Sequence, residues 1–259
     1  MSDVDDPMVA EFDTVAEWTA LVAADLGPEY FIPAGCRGSG QPSVLDWLLD
    51  RLRPAASELM IDVGAGVGGP AAYAAERTGV RPVLLESEPG ACRAVVRLFQ
   101  APVVQADAMA LPCPDASVDL IWSLGVLCTQ ASTENQLAML REMRRVLRPG
   151  GRIGLLVYLA TTPRLDDPPQ GNHFPAVGQL DGLFDHADLR VQSRADARDL
   201  PQPSRDWQER TAAVERELHR RFGRTPQLSA SSEQSDRFGR LLRSGQLTDQ
   251  VIVVSGKNR

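Results

Sequence analysis

Between Glu58 and Gly69 the chain reads ELMIDVGAGVGG, and few stretches of twelve residues restrict a fold so tightly. Leu59, Met60, Ile61 and Val63 form a short apolar run suited to a strand covered on both faces. Gly64, Gly66, Gly68 and Gly69 then remove the side chain from four of the next six positions. A backbone without Cβ atoms can turn sharply and bring its amides against a ligand. Pro70 next opens a small-residue helix whose N-terminal dipole faces the same place. Strand, bare loop and helix start together make a nucleotide-sized seat.

The glycines alone do not choose the ligand, since Gly64, Gly66 and Gly69 satisfy the G-x-G-x-x-G dinucleotide pattern while Gly64, Gly66 and Gly68 satisfy G-x-G-x-G. Asp62 is more selective. A carboxylate at the strand tip repels a pyrophosphate and attracts an ammonium or sulfonium, which favours S-adenosylmethionine over NAD. The other reading has Asp62 cap the loop by accepting from its amides. Glu86, 22 residues beyond Gly64, ends the apolar run RPVLLE, where an acid can accept from two vicinal ribose hydroxyls; as a bland alternative it is a solvated acid near a helix start. A third run, PVVQ, leads to Asp107, Ala108 and Met109. There a carboxylate can take an adenine amine while the next amide donates to a ring nitrogen, or Asp107 simply closes a turn.

Around this centre the order is strand, helix, strand, the sign of a parallel sheet with helices on both faces. Phe12, Val15, Trp18, Val22 and Leu26 recur at helical spacing over residues 11–26. The segment EYFIPAGCRGSGQP reads as a loop, either a flap that brings Arg37 or Tyr30 to the ligand or a packed connector. Ser43 is expected to cap the next helix, and Ser87 with Pro89 starts another. SVDLIWS makes a fourth strand, Ser132 or Thr133 caps a helix over 132–147, LRPGG stops it, and RIGLLVYL follows as the fifth. A net charge of −7 disfavours a phosphate-binding surface, which sets nucleic acid aside and makes a small molecule the expected partner. The four cysteines form no C-x-x-C pair, as in reduced proteins without structural zinc. No h-region and no apolar run of membrane-spanning length is present, so a soluble, cytoplasmic chain is expected after a frayed acidic tip, MSDVDDP.

These pieces, IDVGAGVGG, Glu86, ADAMALPCPDASVDLIWS and MRRVLRPGGRIGLL, resemble class I S-adenosylmethionine-dependent methyltransferases of the small-molecule, ubiquinone-biosynthesis-like group, over residues 58–159. The resemblance implies a Rossmann-like, doubly wound α/β sheet of seven strands, mostly parallel with the last one reversed. It implies that Gly64, Ala65 and Gly66 lie along the methionine part, with Asp62 and the backbone at Ser123 at its amino group. Glu86 with Ser87 takes the ribose, Asp107 with Ala108 takes the adenine, and S-adenosylhomocysteine is the product. The loop Ser123-Leu124-Gly125 departs from the Asn-Pro-Pro-Tyr of amino- and amide-directed enzymes. Cys113 precedes the fourth strand, unlike the cysteine of cytosine carbon methyltransferases, and Cys128 has no neighbouring base. No acidic cluster suggests a metal.

Past Tyr158 substrate choice must begin. The loop TTPRLDDPPQGNHFP leaves the fifth strand on the ligand side and carries His173, the candidate proton acceptor, while Tyr158 is a candidate for positioning the acceptor molecule. Leu189–Ser193 reads as the sixth strand and QVIVVSGK as the seventh. Between them, two helical patterns separated by the polar linker RTPQLSASSEQS read as a cap, with Trp207 lining the pocket or joining the core. The divisions expected are N-terminal helices and flap over 1–57, a ligand-binding core over 58–199, a cap over 200–247 and a last core strand over 248–259. Competing readings are a protein or RNA methyltransferase and a nicotinamide-dependent oxidoreductase or nucleoside-binding module. No feature specifies an oligomeric state.

Overall fold

Parallel strands cannot be joined by tight turns, so each apolar strand needs a crossover, and here the crossovers are helices. The computed structural model describes residues 10–38 and 40–257; the acidic tip lies outside them. Among the described residues the strands are β1 (Met60–Val63), β2 (Val83–Glu86), β3 (Val103–Gln105), β4 (Val118–Leu124), β5 (Leu147–Ala160), β6 (Leu189–Asp196) and β7 (Leu247–Gly256). They form one sheet in the order β3-β2-β1-β4-β5-β7-β6. β7 is the reversed strand, antiparallel to β5 on one side and β6 on the other.

A π-helical turn, Ala10–Val15, runs into α1 (Ala16–Leu26), followed by α2 (Phe31–Gly35), α3 (Pro42–Leu52), α4 (Gly69–Thr78), α5 (Pro89–Phe99), α6 (Thr133–Val146), α7 (Leu180–His186), α8 (Arg205–Phe222) and α9 (Pro226–Arg243). Alternate residues of the strands feed two cores. Met60, Leu120, Trp122, Leu156 and Val253 pack under Leu45, Leu48 and Leu52 of α3. Ile61, Ile121, Ile153, Leu155 and Val254 pack under Met139, Leu140 and Met143 of α6 and Phe184 of α7. A third cluster joins α1, α5, α8 and α9 through Val22, Ala94, Leu218 and Leu228.

Four expectations are corrected. The segment after α1 is helical, as a 3-10 turn Pro28–Tyr30 and then α2, because Pro28 sits where a first turn needs no N–H and Pro33, Ala34 and Gly35 are buried. Gly35 lies so close to Gly69 that a Cβ there would stand 2.6 Å from the Gly69 nitrogen. Ser43 does not cap α3: Pro42 takes the first helical position, Gln41 becomes the cap residue, and the Ser43 hydroxyl is buried without a partner. LRPGG does end the helix, but the fifth strand begins within it, five residues before the expected RIGLLVYL. α6 ends at Val146 and β5 begins with Leu147 paired to Val118, with a bulge that Gly150 accommodates at φ +79. Finally, the linker RTPQLSASSEQS is mostly helix: the Thr225 hydroxyl caps α9 by accepting from the Leu228 amide at 3.4 Å, and Ser231 and Gln234 are buried. Their polarity reflects what they face, not exposure.

Candidate functional site

The C-terminal ends of β1, β2, β4 and β5 open into a cavity of about 660 Å³ roofed by the π-helical turn, the end of α2, the loop 161–175 and α9. A volume of that size lies in the range of small-molecule sites. Its floor is the glycine loop. Gly64 and Ala65 donate their amides to the Leu85 carbonyl at 2.8 and 3.1 Å, which bends the chain away from β1. Gly64 has φ +72, and a Cβ there would stand 2.4 Å from Val126, so only glycine fits. Gly66, at φ +53, has nothing within 4 Å of where a Cβ would be, and its open face is the cavity.

Glu86 organises the loop. Its Oε2 accepts from the Gly66 amide at 2.6 Å, and its Oε1 accepts from the Ser87 and Glu88 amides at 2.8 and 3.1 Å. The capping that the sequence allowed for Asp62 is performed by Glu86 and the Leu85 carbonyl. A carboxylate held this firmly still has lone pairs for a diol. Asp107 accepts from the Met109 amide at 2.7 Å, so it closes its turn and lines the cavity as well.

Of the residues singled out in the sequence, Arg37, Gly64, Gly66, Glu86, Ser87, Asp107, Ala108 and Tyr158 meet on this one wall. Asp62, Ala65 and Ser123 lie behind it, and all three are buried. Ser123 donates to the Val63 carbonyl at 2.8 Å and ties β4 to β1. Asp62 points from β1 toward Cys36 and Trp122, with its Oδ2 buried and unpartnered. Burial raises its carboxyl from the ordinary 3.8 to about 7; the Trp122 indole nearby, outside hydrogen-bonding geometry, opposes the rise, and the Glu86 charge adds to it. Asp62 is thus buried behind the residues that line the cavity.

His173 lines a second cavity of about 520 Å³ with Thr133, Thr161 and Phe174, and no part of it lines the first. Its Nε2 stands 3.1 Å from the Thr133 hydroxyl, and its amide donates to the Cys128 carbonyl at 2.7 Å. Trp207 is on neither wall: it packs edge-on to Tyr73, the core alternative of the sequence reading. α8 stacks on α1 through Phe222 and Trp18, ring centroids 4.4 Å apart. The cap over the cavity is α9 alone, with Gln234, Ser235, Phe238 and Gly239 lining it.

On the β5 and α9 side, the lining residues Tyr158, Asn172, Gln234 and Phe238 carry no charge. Tyr158 donates its hydroxyl to the Gly38 carbonyl at 3.0 Å and meets Phe238 edge-on at 4.7 Å. Gln234 Oε1 accepts from the Gln170 amide at 2.8 Å and so ties the 161–175 loop to α9. Asn172 donates to the Cys128 carbonyl at 3.4 Å. The Cys128 thiol donates to the Gly125 carbonyl at 3.2 Å, and burial pushes it up to about 12, so it stays protonated and is no nucleophile. Sequence reasoning missed Glu11, Asn172 and the α9 residues; the buried serine and glutamine within RTPQLSASSEQS were the available signal. Among the described residues, no three His, Cys, Asp or Glu side chains are grouped to hold a metal, and no helix is long and apolar enough to cross a membrane.

A glycine-loop floor with Glu86 and Asp107 at neighbouring strand ends, on a seven-stranded sheet with a reversed seventh strand, defines a class of protein, and comparison with known proteins agrees. Residues 61–155 match the family described as "Methyltransferase domain". The 27-O-demethylrifamycin SV methyltransferase of Amycolatopsis mediterranei is 33% identical over 190 residues, covering 66% of this chain and 66% of its own. Among solved structures, the [4+2]-cyclase SpnF superposes with a TM-score of 0.63 at 19% identity, covering 83% of this chain and 80% of its own. The geranyl diphosphate C-methyltransferase of Streptomyces coelicolor A3(2), solved with Mg2+, geranyl-S-thiolodiphosphate and S-adenosyl-L-homocysteine, does so with a TM-score of 0.57 at 16% identity, covering 81% and 74%. This chain belongs to the class I S-adenosylmethionine-dependent methyltransferases. It spans 28–66% of the length of the curated relatives it matches.

Proposed function

We propose that the protein transfers the methyl group of S-adenosylmethionine to an uncharged, partly apolar small molecule. The observation that carries this reading is the division of one cavity. At the β1, β2 and β3 ends stand the glycine floor, Glu86 and Asp107; on the β5 and α9 side stand Tyr158, Phe238, Asn172 and Gln234. The SpnF likeness shows that this fold also serves other chemistry, so the argument rests on the site and not on the fold. A relative named for 27-O-demethylrifamycin SV supports an acceptor of the small-molecule kind.

The residues present fit the donor. Gly66 offers an open backbone face, Glu86 can accept from two ribose hydroxyls, and Asp107 can accept from the adenine amine. When bound, S-adenosylmethionine supplies a methyl carbon already activated by its sulfonium leaving group. The protein then has to exclude water and hold the acceptor near attack. Phe238 and Tyr158 exclude water, and α9 closes the roof. Tyr158, its proton committed to Gly38, faces the cavity as a hydrogen-bond acceptor and orients an acceptor hydroxyl or N–H.

Calorimetric titration with S-adenosylhomocysteine and with NAD tests the donor: binding of the first and not the second is expected, and binding of NAD alone would sink the proposal. Transfer of a labelled methyl group into fractionated metabolite extracts tests the acceptor, with label expected in neutral fractions.

A further inference from the structure

Gln234 lines the cavity while only 7% exposed, and half of its carboxamide has no partner. The Gln170 amide can only donate, so the atom that meets it at 2.8 Å is Oε1. That leaves Nε2 as a donor without a partner among the described residues. Asn172 is fixed the other way round. The Cys128 carbonyl can only accept, so Nδ2 stands against it at 3.4 Å and Oδ1 is left to accept. Turning either amide over would set donor against donor or acceptor against acceptor, so the two roles are not interchangeable.

Two more carboxamides line the same cavity. Asn135, on the first turn of α6, makes no side-chain hydrogen bond among the described residues, and Gln130 gives its Nε2 to the Thr129 hydroxyl at 3.4 Å and keeps Oε1. The segments that carry these amides are bonded to one another: Asn172 and His173 tie the loop 161–175 to Cys128, and Gln170 ties it to α9. Phe238 lies four residues after Gln234, so the two share a face of α9. Its ring meets Tyr158 edge-on and packs beside Phe174, which makes the neighbouring surface apolar. Of the charged lining groups, Arg37 reaches α9 but donates to the Ser231 hydroxyl, three residues before Gln234, while Glu86 and Asp107 stand at the β2 and β3 ends. A nearly buried N–H without an acceptor is costly, and a ligand oxygen is what would satisfy it.

We propose that Gln234 and Asn172 read the methyl acceptor, and that this acceptor is a neutral hydroxy-carbonyl compound. Gln234 Nε2 donates to a ketone, ester or lactone oxygen, Asn172 Oδ1 accepts from a hydroxyl, and the carbon skeleton lies against Phe238. This rests on the small-molecule transfer reading above and names the acceptor within it. A hydrocarbon would leave Nε2 unpaired, and an ammonium would meet it donor to donor.

The test transfers a labelled methyl group from S-adenosylmethionine into fractionated metabolite extracts and identifies the labelled product by mass and NMR spectra. A neutral product with a carbonyl carbon and at least one further oxygen is expected. Gln234→Glu, assayed at pH 8 where a carboxyl is ordinarily ionised, keeps an oxygen for the Gln170 amide and replaces the free donor by a second acceptor. Label incorporation should fall at least about tenfold, the size of one lost buried hydrogen bond, while S-adenosylhomocysteine affinity stays within about twofold and exchange of the Gln170 amide is unchanged. Those last two readings show the variant folded with its loop anchored; if it does not fold, the product of the unaltered protein decides by itself. An acceptor that proves to be a hydrocarbon, an amine or an acid labelled as its methyl ester, or undiminished transfer by folded Gln234→Glu, would overturn the assignment. Failure of the unaltered protein to bind S-adenosylhomocysteine or to label any fraction would instead overturn the transfer reading on which it rests.

Discussion

Asp62 stands at the strand end just ahead of the glycine bend, yet its side chain is buried and does not line the cavity. Its position ahead of the glycine bend marks the strand end, but the alternation of β1 turns its side chain into the α3 face of the sheet, beside Trp122 and Cys36. Glu86, from the next strand, reaches the bend instead. The folded value of about 7 for Asp62 stands above the ordinary 3.8, so the stability it lends is full below about pH 4 and is lost as pH rises through 7. Between pH 5 and pH 8 the ligand-free protein should lose roughly 2–3 kcal/mol through this group, a loss that Asp62→Asn should not share. Denaturant unfolding of both proteins at the two pH values measures it, and equal losses would show that the carboxyl ionises freely.

Among the elements, α2 and α9 decide what the cavity is. α2 is only five residues long, yet Gly35 lets it touch the backbone of α4 and so carries Arg37 to the wall. Gly35→Ala puts a methyl group 2.6 Å from the Gly69 nitrogen, where no side chain can yield. Overpacking of this kind costs about 1–3 kcal/mol, and S-adenosylhomocysteine affinity should fall with it as Arg37 is displaced. Thermal unfolding and titration read the two effects separately. α9 acts through Gln234, whose side chain anchors the loop 161–175 at Gln170. Gln234→Leu keeps the bulk and removes that anchor. Global stability should change by about 1 kcal/mol, while the Gln170 amide should exchange with solvent far faster than in the unaltered protein. Unchanged exchange would mean that the loop is held by other contacts.

At the scale of the molecule, the cavity is where three layers meet: the sheet ends, the N-terminal turn and α2, and α9. A ligand that binds only this assembled state stabilises it by about 2.7 kcal/mol at a concentration 100 times its dissociation constant. For a chain of this size that should raise the unfolding temperature by roughly 5–10 °C, and a melting series against S-adenosylhomocysteine concentration checks it. The sequence alone determined the βα rhythm, the glycine bend and the acids Glu86 and Asp107, because those are local matters: a strand's apolar period, a backbone without Cβ atoms, a carboxylate at a strand end. It also determined the reversal of β7 through the resemblance carried by residues 58–159. What it did not reveal was decided by packing between segments far apart in the chain. The helix α2 within a Gly- and Pro-rich stretch, the buried serine and glutamine of α9, the withdrawal of Asp62 behind the wall and of His173 to a second cavity, and the presence of Glu11 and Arg37 on one cavity wall all depend on distant backbone meeting. Periodicity reports which face of an element is apolar, but which distant segment covers that face, or fills the gap beside a ligand, is settled only when the chain closes on itself.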